Sequence, residues 1–351
     1  MSRPLPEILR CDWPAAVAEP PPVTLAALDR AAEVLRRGGL VAIPTETVYG
    51  LAADALDEFA VDGIFRSKGR PATNPLIVHV ADATMARGLA ASWPAAAESL
   101  TAALWPGPLT IVLPRNAAVP DIVTAGGPTV ALRCPEHRLA RLLIARSGIP
   151  LAAPSANRSE RVSPTTALHV LESLGNRIDL ILDGGPCARG IESTVVDCTV
   201  TPPRILRPGP VARQALEAAL GGPVLGPEAS AEVAAPSAAR SPGTQARHYA
   251  PRTRLDLRAD APAHVAALLG QGRRVGWLTT RAAEPAVREL AATHRDLVIV
   301  PMLQSPEAFA AALYAALHAL DHRGLDRIVV DEPPATEEWH AIRDRLTRAA
   351  T

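Results

Sequence analysis

Aromatic side chains are scarce in this chain: phenylalanine, tyrosine and tryptophan together make up 3% of its 351 residues. Because single-stranded nucleic acids are bound largely by stacking bases on aromatic rings, this scarcity argues against that class of binding protein. Apolar residues still reach 48%, enough for buried cores built from alanine, leucine, valine and isoleucine. A chain of this length exceeds what one hydrophobic core usually supports, so we expect two domains.

An excess of charge of one sign is missing as well. The 36 basic residues balance 36 acidic ones, and the formal net charge is zero. No global field therefore attracts a polyanion, and a nucleic-acid partner would need a local basic patch.

Cysteine is rare, and its spacing is unlike that of metal ligands. Cys11, Cys134, Cys187 and Cys198 form no Cys-x-x-Cys pair and have no histidine-rich neighbourhood. The N-terminus carries no apolar export segment, and no later run of about 18 apolar residues would span a membrane. We expect a cytoplasmic protein with reduced thiols and no membrane contact.

Three nucleotide-binding and hydrolase signatures are also absent from the sequence. There is no Gly-x-x-x-x-Gly-Lys-Ser/Thr loop and no Gly-x-Gly-x-x-Gly after a first strand, so neither P-loop hydrolysis nor dinucleotide binding is indicated. A Ser-His-Asp triad drawn from Ser155, His79 and Asp183 gains little support, because the chain has no Gly-x-Ser-x-Gly elbow.

The most informative stretch lies between residues 67 and 80. Lys68 and Arg70 flank Gly69, and Asn74 then precedes an apolar run that contains His79. A point charge and a planar guanidinium beside a glycine suit a bound phosphate or carboxylate, since the glycine lets the backbone approach the ligand. A second interpretation stays open, in which the two cations only cover the C-terminus of a helix.

Alternating apolar runs and polar loops predict an α/β fold. Thr24 is the expected N-cap of the first helix. Loops with threonine, serine, asparagine, lysine or arginine follow most predicted strands, which favours one convergent pocket at the carboxyl ends of the strands. These predicted strands cover residues 40–43, 76–80, 110–113, 129–133, 151–153, 179–182 and 194–197.

Composition shifts divide the chain into four parts. Residues 1–23 are rich in proline and predict an extended arm, and residues 24–220, with their strands and polar loops, predict the first and larger domain. Residues 221–252 lack periodicity at first and are interpreted as a linker or lid. Residues 253–351 predict a smaller three-layer α/β (Rossmann-like) domain with strands near 274–278, 297–300 and 327–330. That domain has no cluster of catalytic residue types, which favours packing or docking.

Several motifs in order carry a family resemblance. They are residues 44–50, 68–79, 104–110, 153–157, 190–197 and the closing Arg-His-Tyr-Ala-Pro at 247–251. Together they resemble the YrdC-like threonylcarbamoyl-AMP synthases, and the trailing domain is similar to the long two-domain form. The resemblance implies a YrdC-like twisted mixed sheet with flanking helices, followed by a smaller C-terminal α/β domain.

The resemblance also implies a nucleotidyltransferase reaction. L-Threonine and bicarbonate would give an N-carboxylated threonine, which attacks the α-phosphorus of ATP and releases pyrophosphate and threonylcarbamoyl-AMP. A downstream tRNA threonylcarbamoyl transferase complex would then modify tRNA, with direct tRNA contact left open. Mg²⁺ is expected with ATP, its protein ligands remain unassigned, and no organic cofactor is expected.

Roles for individual residues follow from the same resemblance. Lys68 and Arg70 would be the catalytic cations. The implied threonine-binding residues are Thr47, His79, Arg133, Ala153 and Ser193. The implied ATP-binding residues are Arg70, Asn74, Thr129, Ser155, Asn157, Ser163, Arg207 and Tyr249.

The sequence departs from the family pattern at three places. Ala52 and Glu160 stand where glycine is common, and residues 244–246 read Thr-Gln-Ala where Met-Lys-Tyr is usual. The last change bears on how tightly the linker closes over the pocket. Tyr249 either reaches the nucleotide as part of a lid or anchors the linker to the first domain.

Other interpretations remain open. His79 would also suit a buried core, Arg133 would also pair with Glu136 or Asp183, and Glu192 would also suit a metal ligand. A double-stranded RNA or tRNA-binding module without synthase activity would use a basic face that includes Arg66. A hydrogenase-maturation carbamoyltransferase ranks last, because the Cys-x-x-Cys zinc motifs of those proteins are absent here.

Overall fold

The structure is a computed structural model that describes residues 4–14, 16–227 and 248–350. These residues form two compact units. The first takes the described residues of Met1–Ser159, Pro164–Ala188 and Glu192–Thr244. The second takes Glu160–Ser163, Arg189–Ile191 and the described residues of Gln245–Thr351. Two short segments that lie within the sequence range of the first unit therefore belong to the second unit.

The described part of the first unit has ten strands and eight α-helices. The strands are β1 (Glu7–Arg10), β2 (Val41–Ile43), β3 (Gly50–Asp54), β4 (Ile77–His79), β5 (Leu109–Pro114), β6 (Thr129–Arg133), β7 (Leu151–Ala152), β8 (Leu180–Asp183), β9 (Thr194–Asp197) and β10 (Arg204–Arg207). The helices are α1 (Pro22–Arg36), α2 (Glu58–Lys68), α3 (Ala83–Arg87), α4 (Ala95–Leu104), α5 (Asp121–Thr124), α6 (Arg138–Ser147), α7 (Ala167–Leu174) and α8 (Arg213–Leu220).

The ten strands form one mixed sheet in the order β1-β8-β2-β3-β7-β4-β6-β5-β9-β10. Three successive antiparallel pairings, β2–β3, β3–β7 and β7–β4, separate β2 from β4. Strands β4 and β6, which pair in parallel, therefore run opposite to β2. The carboxyl ends of the strands therefore point in two opposite directions, yet Glu46 in the loop after β2 still reaches Arg133 at the carboxyl end of β6.

One face of strands β4, β5, β6 and β9 differs in character from the other. Alternate residues such as Val78, Ile111 and Leu132 belong to the main hydrophobic core. Their neighbours Ile77, Val112, Ala131 and Val195 form a separate small apolar cluster, since successive side chains of a strand point to opposite faces. We call this second face the floor. It also carries His79, Thr110, Thr129, Arg133 and Asp197, at the alternate positions of the same strands.

Helices α1 and α6 pack against the other half of the sheet. Leu28 and Leu35 of α1 and Leu143 of α6 join one buried cluster with Val41 and Leu180 of the strands. This packing covers the sheet around β2, β3, β7 and β8 and stops short of the floor. The apolar residues of the floor are nonetheless buried, from 0% exposed at Val195 to 7% at Ile77.

Two helix ends show how local sequence sets the boundaries. The prediction that Thr24 caps α1 is wrong: the helix begins at Pro22, and the Thr24 hydroxyl donates to the Asp12 carbonyl. A proline in the first turn is favoured because its missing N–H needs no partner there. Helix α2 ends with Gly69 in the left-handed conformation at φ 63°, which only glycine adopts without strain.

The second unit is built around a four-stranded parallel sheet in the order β11-β14-β12-β13. Its elements are β11 (Leu255–Arg258), α9 (Ala261–Gly270), β12 (Val275–Thr279), α10 (Pro285–Thr293), β13 (Leu297–Pro301), α11 (Pro306–Asp321), β14 (Arg327–Asp331) and α12 (His340–Ala350). Val265 of α9 and Val287 of α10 pack with Trp277 on one face. A Cβ at Gly276 would meet Leu320 of α11 on the other. The predicted three-layer parallel domain is thus confirmed.

Parts of the predicted domain outline differ from the structure in detail. Residues 7–10 of the expected N-terminal arm are extended, as predicted, but they form β1, which pairs in parallel with β8 at the sheet edge. Strands β3, β10 and β11 were not predicted. Most of the predicted linker, residues 228–247, lies outside the described residues.

Glu160 explains one departure from the family pattern. Its φ is 67°, the left-handed region in which a residue with a Cβ is disfavoured by about 1–2 kcal/mol. A glycine would adopt this conformation without strain, which accounts for glycine being frequent at the position.

No helix in the described part of the chain is long and apolar enough to cross a membrane.

Candidate functional site

A buried ion pair lies at one end of the floor. Arg133, the last residue of β6, donates from Nη2 to Oε1 of Glu46 at 2.7 Å, and each side chain is 5% exposed. Burial raises the pKa of Glu46, but the charge and hydrogen bond of Arg133 outweigh it and keep the pKa below its usual value. The carboxylate of Glu46 therefore stays ionised. Arg133 pairs with Glu46, and not with Glu136 or Asp183, the two partners that the sequence suggested.

Three polar atoms at this end of the floor have no hydrogen-bond partner among the described residues. They are Oε2 of Glu46, Nε of Arg133 and Nδ1 of His79, all buried. His79 pairs with Arg133 in the register of β4 and β6, so the three side chains are neighbours. A buried polar group left without a partner costs about 1–3 kcal/mol. A cluster of a carboxylate oxygen, a guanidinium N–H and an imidazole nitrogen therefore favours a small polar ligand.

Ser193 contacts both the floor strand β5 and Arg207 of β10. Its hydroxyl is 2.8 Å from the Thr110 hydroxyl of β5. Arg207 donates from Nη2 to both the carbonyl and the hydroxyl of Ser193, at 3.0 and 3.1 Å. The predicted residues His79, Arg133 and Arg207 thus end β4, β6 and β10. Ser193 immediately precedes β9 and accepts hydrogen bonds from Arg207.

Lys68 makes contacts that the sequence did not indicate. Its Nζ donates to the carbonyl of Ser155 at 2.6 Å and also to the carbonyl of Asn157. Burial, followed by the nearby Arg70 charge, lowers the pKa of Lys68 well below its usual value. The amine therefore holds the Ser155–Asn157 loop in place.

Arg70 folds back onto its own loop. It donates from Nε to the carbonyl of Asn74 at 3.1 Å and from Nη2 to that of Pro75 at 2.8 Å. The Nδ2 of Asn74 is buried without a hydrogen-bond partner in the described residues. The guanidinium thus shapes the loop, and the Asn74 amide is left to donate to a ligand.

Thr47 and Ala153 belong to two loops that contact each other, the loop at residues 44–50 and the loop after β7. Thr47 is fully buried, and its hydroxyl is 2.9 Å from that of Thr45. The amide of Ala153 donates to the Ile77 carbonyl of β4 at 3.0 Å. A Cβ added at Gly50 would lie 3.3 Å from the Cβ of Ala153. This small-residue contact brings the loop at residues 44–50 against the loop after β7.

A cavity of about 530 Å³ lies at the opposite end of the floor. Thr129, the first residue of β6, lines it together with Asp197 and Thr199. Residues 125–128, a glycine-containing turn, form another wall. Ligand pockets usually measure about 300–1,000 Å³, so the cavity is large enough for a substantial part of a nucleotide.

Ser163 and Tyr249 belong to the second unit. The Tyr249 ring is 1% exposed and stacks on Tyr314 of α11 with centroids 5.9 Å apart. The Arg345 guanidinium lies 5.3 Å from its centroid. The carbonyl of Ser163 is 3.2 Å from Nε2 of His318. Tyr249 thus packs on the C-terminal unit, and the ATP contacts of both residues stay predictions.

Sequence reasoning missed Glu46 and Thr110 as parts of the site. Both lie inside quoted motifs, and the available signal for Glu46 was a carboxylate between two threonines in a loop. Among residues 4–14, 16–227 and 248–350, no three His, Cys, Asp or Glu side chains are grouped as metal ligands. Glu192 is accordingly not part of such a group.

Gly209→Ala is expected to disturb Ser193 from behind. A Cβ at Gly209 would come within 2.6 Å of the Ser193 carbonyl carbon and 2.7 Å of the Glu192 carbonyl oxygen. Overpacking of this kind costs about 1–3 kcal/mol, and the melting temperature should fall by about 2–4 °C per kcal/mol. The control is Gly222→Ala, where no atom lies within 4 Å of the added Cβ. Equal melting temperatures for the two variants would contradict the prediction.

His79 is expected to make stability depend on pH. Burial, and then the Arg133 charge, lowers its pKa from 6.5 to about 3. Between these values the unfolded chain binds a proton that the folded protein does not, so stability falls as the pH is lowered through that window. The slope is at most about 1.4 kcal/mol per pH unit. The free energy of unfolding, measured with urea at several pH values between 6.5 and 5, should change less with pH in His79→Gln than in the native protein. An equal dependence on pH in the two proteins would refute the prediction.

Two family models match almost the whole chain. One, described as "Telomere recombination" and named for Sua5, YciO and YrdC, matches residues 33–209. The other, described as "Threonylcarbamoyl-AMP synthase, C-terminal domain", matches residues 211–351. The two matches follow one another in the order expected from the motifs.

Curated relatives and a solved structure agree with these models. The threonylcarbamoyl-AMP synthase of Bacillus subtilis is 41% identical over 328 residues, which cover 92% of this chain and 92% of the relative. That of Pyrococcus abyssi is 39% identical over 328 residues, or 91% of this chain and 93% of the relative. The structure of P. abyssi Sua5 complexed with L-threonine is 36% identical, with a TM-score of 0.84, and covers 98% of this chain and 97% of that one. The chain therefore belongs to the threonylcarbamoyl-AMP synthase family in its long, two-domain form.

Proposed function

We propose that this protein is an L-threonylcarbamoyladenylate synthase. Threonine and bicarbonate condense to N-carboxythreonine with loss of water, and the new carboxylate attacks the α-phosphorus of ATP. Pyrophosphate leaves, and threonylcarbamoyl-AMP is the product. The observation that carries the proposal is the layout of β6. At one end of the strand lies an ion pair whose Glu46 Oε2 and Arg133 Nε have no hydrogen-bond partner among the described residues. At the other end lies a cavity large enough for much of a nucleotide.

The Arg133 end suits threonine. A zwitterionic amino acid needs a donor for its carboxylate and polar partners for its amine and hydroxyl. The floor supplies the Arg133 guanidinium, the Ser193 hydroxyl and a neutral His79 imidazole within one cluster. Arg133, His79 and Ser193 are each less than 5% exposed, so threonine enters only when surrounding segments open, as is common in enzymes that exclude water.

The Thr129 end suits the nucleotide. Thr129 and Arg133 are four positions apart on an extended strand, and at about 3.3 Å per residue this is about 13 Å. Both side chains point to the same face, since residues i and i+4 of a strand do so. A nucleoside at Thr129 and an amino acid at Arg133 would leave the α-phosphate between them, where the attacking carboxylate must meet it.

Catalysis by this site would rest on positioning and charge. Phosphoryl chemistry of this kind needs no protein nucleophile. Asn74, between α2 and β4, and Arg207, the last residue of β10, would donate to phosphate oxygens. Lys68 supports the Ser155–Asn157 loop through two carbonyl contacts, so its contribution to rate comes through the placement of that loop. We propose that Mg²⁺ arrives with the nucleotide as MgATP.

The downstream acceptor is proposed to be the tRNA threonylcarbamoyl transferase complex. Threonylcarbamoyl-AMP is an activated carbamate that water hydrolyses, so its consumer must capture it quickly. The cytoplasmic location expected from the sequence stays a prediction. The alternative of an RNA-binding face loses support, because Lys68, Arg70 and Arg133 are all buried and cannot contact phosphates at the surface.

The test is pyrophosphate release from ATP by the purified protein. Release should require both L-threonine and bicarbonate, and mass spectrometry should detect threonylcarbamoyl-AMP. L-Valine, which replaces the threonine hydroxyl with a methyl group, is the matched control and should support much less release. Release that continues unchanged without threonine, or without bicarbonate, would show that the protein does a different reaction.

A further inference from the structure

We propose that Glu46 is a threonine-binding residue whose Oε2 accepts a hydrogen bond from the α-ammonium group of the amino acid. The proposal deepens the proposed function and rests on it, since it assumes that threonine occupies the Arg133 end of the floor. It adds a binding residue of opposite charge to the cations and hydroxyls that the sequence singled out.

The geometry of the ion pair is the main argument. Glu46 uses only Oε1 on Arg133, at 2.7 Å. Its Oε2 is buried and has no described residue in hydrogen-bonding geometry, although the backbone N–H groups of Glu46 and Glu136 help to lower the pKa of the carboxylate. The Nε of Arg133 is likewise buried without a described acceptor. The pair therefore offers one open acceptor on an anion beside one open donor on a cation.

A free α-amino acid is the ligand class that matches both open groups. Its carboxylate and ammonium are carried by one carbon atom, so the two charges lie as close together as the two charges of the ion pair. Carboxylate on Arg133 and ammonium on Glu46 would form a closed ring of alternating charges. Charge-assisted hydrogen bonds of this kind are the strongest that proteins make.

The position of Glu46 in the chain supports the same role. It precedes Thr47, which is fully buried, in a loop held by the Thr45 hydroxyl through its bond to the Val48 carbonyl at 2.6 Å. The loop gives Glu46 a fixed backbone from which to reach Arg133. A carboxylate that served only to hold Arg133 would not need to keep its second oxygen buried and open.

The experiment compares two ligands on two proteins. L-Threonine and (R)-3-hydroxybutanoate share the carboxylate, hydroxyl and methyl groups, and only threonine has the amine. In E46Q the side-chain amide oxygen can still accept from Arg133, while an NH₂ group replaces the open acceptor. Calorimetric titration should show threonine binding weakened about 10- to 100-fold, as expected for losing a charged hydrogen bond. The affinity for (R)-3-hydroxybutanoate should change by less than about 3-fold, because none of its groups contacts Oε2.

The outcomes separate the inference from the proposed function. Equal weakening of both ligands would mean that Glu46 acts only through Arg133, and unchanged threonine affinity would mean that it has no role; either result overturns the inference alone. Failure of the native protein to bind threonine overturns the proposed function as well. Should E46Q unfold, E46D retains the charge on a side chain one carbon shorter, and it must also weaken threonine more than (R)-3-hydroxybutanoate.

Discussion

Replacing Arg133 with methionine is expected to lower the free energy of unfolding by about 3–5 kcal/mol and to abolish threonine-dependent pyrophosphate release. The substitution leaves the carboxylate of Glu46 buried without its cation, and removing one partner of a buried pair is far more harmful than removing both. Urea denaturation measures the first effect, and pyrophosphate release from ATP measures the second.

The double variant Glu46→Gln/Arg133→Met is the control. It removes the uncompensated charge, so we expect it to regain most of the lost stability. Activity should not return, because the guanidinium that receives the threonine carboxylate is still absent. If the double variant is as unstable as Arg133→Met, the loss of stability has a cause other than the orphaned carboxylate. If Arg133→Met alone unfolds like the native protein, the ion pair is not buried as the structure has it.

Lys68→Met is expected to lower kcat/KM by about 100-fold, the loss that a misplacement of about 1 Å produces in a catalytic site. The amine ties Ser155 and Asn157 to the end of α2, and methionine has a similar length but no donor. The effect on stability should be smaller than that of Arg133→Met. Two carbonyls lose a partner, but an amine whose pKa is lowered by burial is also removed.

Arg66→Met on the same helix is the matched control for Lys68→Met. Arg66 is exposed and pairs only with Asp62, at 2.8 Å, among the contacts described for it. Exposed pairs of this type contribute at most about 1 kcal/mol, so activity and stability should both stay near the native values. Native activity in Lys68→Met would contradict the proposal that Lys68 positions the Ser155–Asn157 loop. Loss of activity in Arg66→Met would support the interpretation in which a basic face binds RNA.

Much of the fold was predictable wherever local patterns were strong. The bounds of β6 and β9 agree with the strands predicted for residues 129–133 and 194–197, because each is a short run of β-branched and apolar residues. Strand β3 was missed, since its sequence of glycine, leucine, alanine and aspartate has little preference for a strand. Its conformation comes from pairing with β2 on one side and β7 on the other.

The site was predictable in its residue types and less so in its contacts. Arg133, His79 and Ser193 were all expected, and the structure brings them to one end of the floor. The arrangement of Lys68 was not expected, because its two acceptors lie 87 and 89 residues further along the chain. No local pattern reports a contact of that separation.

The sequence by itself determined which segments extend or coil and where the polar groups stand among them. Periodicity, prolines and a glycine such as Gly69 act over a few residues, and they are readable from the chain for that reason. Tertiary structure alone decided that β4 and β6 run against β2, and that Arg133 meets Glu46 instead of Glu136 or Asp183. Strand direction and ion-pair partners depend on how distant segments pack together, and the energy of that packing is not written in any single stretch.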